Sequence, residues 1–138
     1  MKKILERIIV FSLVVLLFAA VCPQNTFAAN DLLPTVPMYT GAIQVSANVI
    51  ISSSGYATAI GKVKLLPGYT ADVTLQLKYD SGSVSGTWID SGSGTIPMEK
   101  GKYIMSGHDY YTVVHVVVYD STGKTVDDIT LESNRVSY

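Results

Sequence analysis

The stretch VTLQLKYDSGSVSGTWIDSGS, residues 73–93, contains the pattern that determines the fold class. Its first part alternates large apolar residues with polar ones, so an extended strand would bury one face and leave the other in water. Asp-Ser-Gly-Ser then occurs twice, at 80–83 and 90–93. Each copy is typical of a turn, because Asp and Ser cap the backbone and Gly accepts positive φ. The stretch therefore predicts two strands and two turns, with Trp88 on the strand at 84–89.

The same alternation recurs on both sides of this stretch, and no later segment has a helical period. The predicted strands are 42–51, 56–66, 71–79, 84–89, 95–98, 103–105, 110–119 and 125–131, with turns at 52–55, 67–68, 99–102 and 120–124. Turns about every 8 to 12 residues are typical of sandwich domains. Residues 41–138 are therefore predicted to form an all-β domain, an antiparallel immunoglobulin-like β-sandwich of about seven strands.

The segment YYTVVHVVVY, residues 110–119, is apolar on both faces. A strand with two apolar faces is costly to leave exposed, because it invites pairing with other chains. We therefore expect it to be a central strand.

The first 28 residues have the layout of a secretory signal peptide, with a basic start followed by an apolar run at 8–21. This run is shorter than the roughly 20 residues that a membrane-spanning helix needs. Thr26 and Ala28 supply the small residues that precede a cleavage position, so we expect cleavage between Ala28 and Ala29. Residues 29–40, which include two prolines, are interpreted as a linker before the domain.

The charge balance of residues 29–138 excludes some classes of partner. The signal segment holds three of the ten basic residues and one of the eleven acidic ones, so the remainder has a net charge of −3. Without a basic patch, nucleic acid is not expected as a partner. The single cysteine, Cys22, lies in the signal segment, so we expect no disulfide in the exported chain. We expect a protein that is secreted, with no membrane span after cleavage, and that associates with the cell surface.

Motifs for catalysis are incomplete. Gly82 and Gly86 have the spacing of a nucleophile elbow, but the residue between them is Val84 and not serine. His108 and His115 are seven residues apart and would face opposite sides of a strand. The sequence therefore predicts no catalytic, cofactor-binding or metal-binding residue and no enzyme activity. Calcium binding by turn aspartates is left open; the residues concerned are Asp80, Asp90, Asp109, Asp120, Asp127 and Asp128.

The aromatic residues are the best candidates for ligand contact. Nine tyrosines and one tryptophan are present, and flat rings on a sandwich surface can stack on sugars or fill protein interfaces. The predicted ligand-stacking residues are Trp88, Tyr111, His115 and Tyr119. The alternative is packing in the core or in a tyrosine corner formed by Tyr103, Tyr110 or Tyr111.

The chain also resembles a family of small secreted Gram-positive bacterial proteins that carry a β-rich domain of unknown function, about 110 residues long when mature. The resemblance rests on the signal segment, VTLQLKY (73–79), Trp88, KGKY (100–103) and YYTVVHVVVYDSTGK (110–124). It implies a secreted β-domain and no catalytic residues.

Together these features predict a non-enzymatic binding or interaction module at or near the cell envelope. Its expected partners are a cell-wall polysaccharide or another envelope protein. The alternative is a self-assembling structural or surface protein that pairs through exposed strands, and a hydrolase with a dispersed site is a third hypothesis.

Overall fold

The computed structural model describes residues 39–138, which form eight β-strands and no helix. The strands are β1 (Ala42–Ile51), β2 (Tyr56–Leu65), β3 (Thr70–Tyr79), β4 (Ser83–Ser93), β5 (Thr95–Tyr103), β6 (Asp109–Tyr119), β7 (Thr125–Glu132) and β8 (Val136–Ser137). The all-β prediction is confirmed for this range. The predicted signal peptide, its cleavage position at Ala28 and Ala29, and linker residues 29–38 lie outside the described residues.

The strands form two antiparallel sheets. The three-stranded sheet has the order β1-β2-β5, and the five-stranded sheet has the order β4-β3-β6-β7, with β8 pairing with the first residues of β6. The chain changes sheet between β2 and β3, between β4 and β5, and between β5 and β6. The predicted antiparallel β-sandwich is therefore confirmed, and β6 is a central strand flanked by β3 on one side and by β7 and β8 on the other.

The core lies between the sheets, where the alternating apolar positions of the strands meet. Its members, all almost fully buried, include Val45, Val49, Ala59, Val63, Val73, Leu75, Leu77, Ile96, Met98, Tyr110, Val114, Val116, Val118 and Ile129. Because side chains alternate along a strand, the residues between these members point outward and form the two outer faces of the sandwich.

The first Asp-Ser-Gly-Ser, residues 80–83, forms the predicted turn between β3 and β4. Asp80 has φ of +50 and Gly82 has φ of +115. The amide of Gly82 donates a hydrogen bond of 3.1 Å to the carbonyl of Tyr79. Positive φ is the conformation for which Gly is preferred, so the local sequence is sufficient to explain this turn.

The second copy, residues 90–93, is not a turn, and the sequence prediction is wrong there. β4 continues through it in register with Thr70–Val73 of β3, and the chain reverses only at Gly94, where φ is +69. The Gly94 carbonyl also accepts a 2.7 Å hydrogen bond from the amide of Leu65. A strand partner satisfies the backbone groups here, which overrides the weak turn preference of Ser and Asp.

The Glu99–Lys102 segment was also predicted as a turn and lies instead inside β5. This strand pairs with β2 continuously from Thr95 to Tyr103, so the two short strands predicted at 95–98 and 103–105 are replaced by one. Lys102, near its end, donates a 2.6 Å hydrogen bond to the carbonyl of Ser85 on β4. The two-residue strand β8 was not predicted, because it depends on pairing with β6.

A buried carboxylate joins the start of β1 to β7. Asp127 accepts hydrogen bonds from the amides of Thr40, at 3.1 Å, and Gly41, at 2.7 Å. Charged side chains are seldom buried unless such partners are present. These bonds fix the point at which the described chain enters the sandwich.

Candidate functional site

The outer face of the five-stranded sheet is built around β6. The inner residues of this strand alternate with Tyr111, Val113, His115, Val117 and Tyr119, which point away from the core. Three of the four predicted stacking residues therefore share one face. We call this surface the β6 face.

Tyr119 is held on the β6 face by a carboxylate of the neighbouring strand. Its hydroxyl donates a 3.1 Å hydrogen bond to Oδ2 of Asp72 on β3. Asp72 pairs in register with Val117, and not with Tyr119, so the tyrosine ring must lean diagonally across the sheet to reach it. The hydrogen bond to Asp72 raises the pKa of Tyr119 above its ordinary value of 10.0, so the hydroxyl remains protonated at neutral pH.

His115 makes a matching contact on the other side of β6. Its Nε2 lies 2.7 Å from Oδ1 of Asp128 on β7. The two side chains are 43% and 68% exposed, so this pair is open to solvent. Asp128 pairs in register with Val117, just as Asp72 does from the opposite side. The two rings therefore lean in opposite directions around Val117.

The two carboxylates retain hydrogen-bonding capacity. Within residues 39–138, Oδ1 of Asp72 and Oδ2 of Asp128 accept no hydrogen bond. Ionised carboxylates are acceptors only, so these oxygens suit ligand hydroxyl or amino groups. The centre of the β6 face thus combines two anchored aromatic rings with two carboxylate acceptors.

Tyr111 lies on the same face but is covered. It is only 4% exposed, and the guanidinium of Arg135 lies 4.0 Å from the centre of its ring. Nη1 of Arg135 also donates a 2.7 Å hydrogen bond to the carbonyl of Asp80. The charged group that covers Tyr111 is thereby fixed, and its ring face is occupied by a cation–π contact.

Trp88 lies on the opposite side of the sheet from these residues. It pairs in register with Leu75, whose side chain is fully buried, so both point toward the inner side. Its indole is half-buried and packs against the core from the outer strand β4. Of the four predicted stacking residues, only His115 and Tyr119 lie on the outer face with a ring that is partly exposed.

A second group of polar contacts lies at the turn between β3 and β4. Nδ1 of His108 lies 2.6 Å from Oδ2 of Asp80, whose Oδ1 accepts a hydrogen bond from the amide of Asp109. The hydrogen bond from His108 lowers the pKa of Asp80 below its ordinary value of 3.8. These contacts join the first Asp-Ser-Gly-Ser turn to the start of β6.

The six turn aspartates considered for calcium do not form one cluster in residues 39–138. Asp120 accepts bonds from residues of its own loop, Asp127 binds the start of β1, and Asp128 binds His115. Among residues 39–138, no group of three or more His, Cys, Asp and Glu side chains is arranged to hold a metal ion. No helix in this part of the chain is long and apolar enough to cross a membrane.

The sequence did not identify Asp72 and Asp128 as partners of the aromatic residues. Tyr119 and Asp72 are 47 positions apart, so only the pairing of β3 with β6 brings them together. His115 and Asp128 lie on the two arms of one hairpin. Their proximity could have been deduced from the predicted hairpin once its register was known.

Comparison with known proteins adds little to this site. No protein-family model matches the chain, and no curated protein matches it. Among solved structures, the chain is similar to part of a candidate beta-galactosidase from Bacteroides fragilis, with a TM-score of 0.42 and 19% sequence identity. The match covers 64% of this chain and 15% of that protein, so it carries no argument about function.

Proposed function

We propose that this chain is a secreted, non-enzymatic, immunoglobulin-like module that binds a polysaccharide of the cell envelope through the β6 face. Tyr119 and His115 supply the ring surfaces in this proposal. Asp72 and Asp128 accept hydrogen bonds from sugar hydroxyl or amino groups. The observation that carries the proposal is the anchoring of two partly exposed rings by two carboxylates on one outer sheet surface.

The immunoglobulin-like assignment is supported by strand order. Immunoglobulin domains pair strands A, B, E and D in one sheet and C, F and G in the other, and variable domains add C′ and C″ beside C. Residues 39–138 supply no counterpart of strand D or C″. The order β1-β2-β5 facing β4-β3-β6-β7 corresponds to A-B-E facing C′-C-F-G.

A buried tyrosine near the start of strand F is a second supporting feature. Tyr110 occupies this position on β6, and its hydroxyl donates a 2.9 Å hydrogen bond to the carbonyl of Met105. This is the geometry of a tyrosine corner, in which the hydroxyl binds backbone a few residues upstream.

Export is supported by the sequence. Residues 1–28 have the layout of a signal peptide, and residues 29–138 contain no cysteine that an oxidising compartment could modify. The resemblance to small secreted Gram-positive proteins favours the same compartment. We therefore place the site of action at or near the cell envelope.

Anchored rings favour binding because they reduce its entropic cost. A free tyrosine loses rotamer freedom when a ligand stacks on it, whereas the ring of Tyr119 is already held by Asp72. The carboxylates also determine which polysaccharides fit. Placing an anionic polymer beside Asp72 and Asp128 would oppose like charges, so uncharged or amino-containing glycans are the expected ligands.

The test is an NMR titration of the chain from Ala29 with three probes: cellohexaose, a glucosamine hexamer and a hexamer of galacturonate. We expect the first two to shift backbone signals of β6, β3 and β7, and the anionic hexamer to give weaker shifts. Tyr119→Ala should weaken binding by about ten-fold or more, because it removes a stacking surface.

The matched control is Tyr103→Ala. Tyr103 is a tyrosine that is 72% exposed on β5, in the other sheet. The Tyr103→Ala variant should bind the probes as the unmodified protein does. Equal loss in both variants, absence of shifts with every probe, or release of reducing sugar from the oligomers would each contradict the proposal.

A further inference from the structure

We propose that β4 also pairs with β4 of a second copy of this chain, forming an antiparallel dimer about a two-fold axis at Ile89. β4 pairs with β3 on one side only, and no strand within residues 39–138 pairs with its other side. An outer strand presents unpaired amides and carbonyls that can accept another strand. This inference is independent of the proposed glycan binding.

The other outer strands of the sandwich are less suited to pairing with a second chain. β5 contains Pro97, Lys100 and Lys102, which are residues that blunt the edge of a sheet. β7 carries two adjacent acidic residues, Asp127 and Asp128. In β1, Ile50 is the one exposed residue among its ten, so β1 is less accessible than β4. By contrast, the regular part of β4, residues 86–93, contains no proline or lysine and only one charge, Asp90.

The bulge in β4 limits the part of the strand that is free. Register with β3 shifts between Leu77 and Lys78, which leaves Ser85 as the extra residue. The carbonyl of Ser85 accepts the hydrogen bond from Lys102. The free edge therefore begins at Gly86 and continues to Ser93.

Charge and side-chain orientation select one register for self-pairing. In an antiparallel pair, two residues that lie opposite each other have their side chains on the same face of the sheet. Because side chains alternate along a strand, two copies of β4 can meet this condition only if the two-fold axis places one residue opposite its own copy. An axis at Asp90 would place this carboxylate opposite its own copy, which is unfavourable. An axis at Trp88 would shorten the ladder to five residues, from Gly86 to Asp90. An axis at Ile89 avoids both problems.

The register at Ile89 is self-complementary. Ile89 is 75% exposed and would pack against Ile89 of the second copy, removing an apolar side chain from water. Thr87 would face Ser91, and such hydroxyl pairs can hydrogen-bond across strands. Trp88 would face Asp90, so no like charges are opposed. A single strand pair is a small interface, so a weak and concentration-dependent dimer is expected.

Such a dimer would place both β6 faces on the same side of one continuous sheet. Five strand spacings of about 4.8 Å would separate the two copies of β6, giving roughly 24 Å. Two sites at this separation could bind one polymer together and increase avidity.

The first test is sedimentation velocity of the chain from Ala29, at concentrations from about 10 μM to about 1 mM, a range suited to a small interface. We expect the sedimentation coefficient to rise with concentration. Ile89→Lys should abolish the rise, because it places like charges at the axis. The matched control, Val84→Lys, changes another exposed apolar residue of β4 that lies before the bulge. The Val84→Lys variant should still dimerise.

The second test fixes the register. Because residues 29–138 contain no cysteine, Ile89→Cys introduces one thiol. Across the proposed axis, like residues at 89 are direct neighbours, whereas those at 91 are about 13 Å apart. Under mild oxidation, Ile89→Cys should therefore form a disulfide-linked dimer faster than Ser91→Cys. Equal rates, a monomer at every concentration, or an unchanged Ile89→Lys variant would overturn the proposal.

Discussion

The two copies of Asp-Ser-Gly-Ser have the same sequence and different structures. The copy at 80–83 is a tight turn with Asp80 and Gly82 at positive φ, whereas the copy at 90–93 is extended and pairs with β3. The first copy joins two strands and is tied to His108 and Asp109. The second belongs to an outer strand whose far side has no strand partner within residues 39–138.

The difference shows how strand pairing selects between local conformations. Asp, Ser and Gly favour turns only weakly, and they can also adopt extended structure when a neighbour satisfies their backbone groups. β3 is long enough to pair with residues 90–93, so the turn moves to Gly94. The same four residues can thus end a strand or extend one.

The largest expected effect comes from Trp88, which lies between the two copies and attaches β4 to the core. Trp88→Ala should lower the free energy of unfolding by about 3 kcal/mol, near the lower end for tryptophan truncation because the ring is only half-buried. Urea unfolding measures this change. The adjacent outward residue provides the control, since Ile89→Ala should cost no more than about 0.5 kcal/mol. Similar losses in the two variants would show that Trp88 does not anchor β4.

The glycines of the two copies should respond differently to a methyl group. Gly82→Ala should lower the free energy of unfolding by about 1–3 kcal/mol, because φ of +115 is strained for alanine. Gly92→Ala should change it by less than about 0.5 kcal/mol, since a Cβ there would meet Ile96 at 3.7 Å, an ordinary contact. Thermal unfolding of both variants tests the contrast. Equal losses would contradict the assignment of the second copy as extended.

The smallest expected effect is on the pH dependence of the melting temperature, which should differ between variants of Asp80 and Asp90, the first residues of the two copies. Hydrogen bonding from His108 lowers the pKa of Asp80, so this contact stabilises the fold above pH 3.8 and is lost as pH falls through the lower folded-state value. Asp80→Asn should therefore reduce the melting temperature at about pH 7, and this effect should diminish as pH falls through the lowered pKa of Asp80. Asparagine tolerates the positive φ, so the turn itself is retained.

Asp90→Asn is the matched control for this pH effect. Within residues 39–138, the side chain of Asp90 accepts only the amide of the adjacent Ser91. The melting temperature of the Asp90→Asn variant should equal that of the unmodified protein at neutral and at acidic pH. A pH-dependent difference for Asp90→Asn as large as that for Asp80→Asn would refute the distinction between the copies.

Much of the strand pattern could be predicted from alternation alone. β1, β2 and β3 each bury one face in a shared core, so their apolar residues recur at every second position. β6 was recognised instead by an apolar run that covers both of its faces. β4 and β5 were predicted too short because their ends contain turn-forming or charged residues. Their extent depends on the long partners β3 and β2, which alternation within a single strand does not reveal.

The candidate site was only half predictable. His115 and Tyr119 were identified because they interrupt or end an apolar run, and both lie partly exposed on the β6 face. Trp88 and Tyr111 were grouped with them by residue type, but the fold places Trp88 on the inner side and covers Tyr111 with Arg135. Whether an aromatic ring is accessible depends on distant neighbours that no local pattern contains.

The sequence by itself determined the all-β class and the buried side of the regular strands, because a two-residue period and a dry interior require that arrangement. It also placed the turn at Asp80 to Ser83 through residues that accept positive φ. Tertiary structure alone decided the extended second copy and the pairing of Tyr119 with Asp72. Those outcomes depend on backbone and side-chain partners that are brought within hydrogen-bonding distance only when β3 pairs with β4 and β6 in the five-stranded sheet.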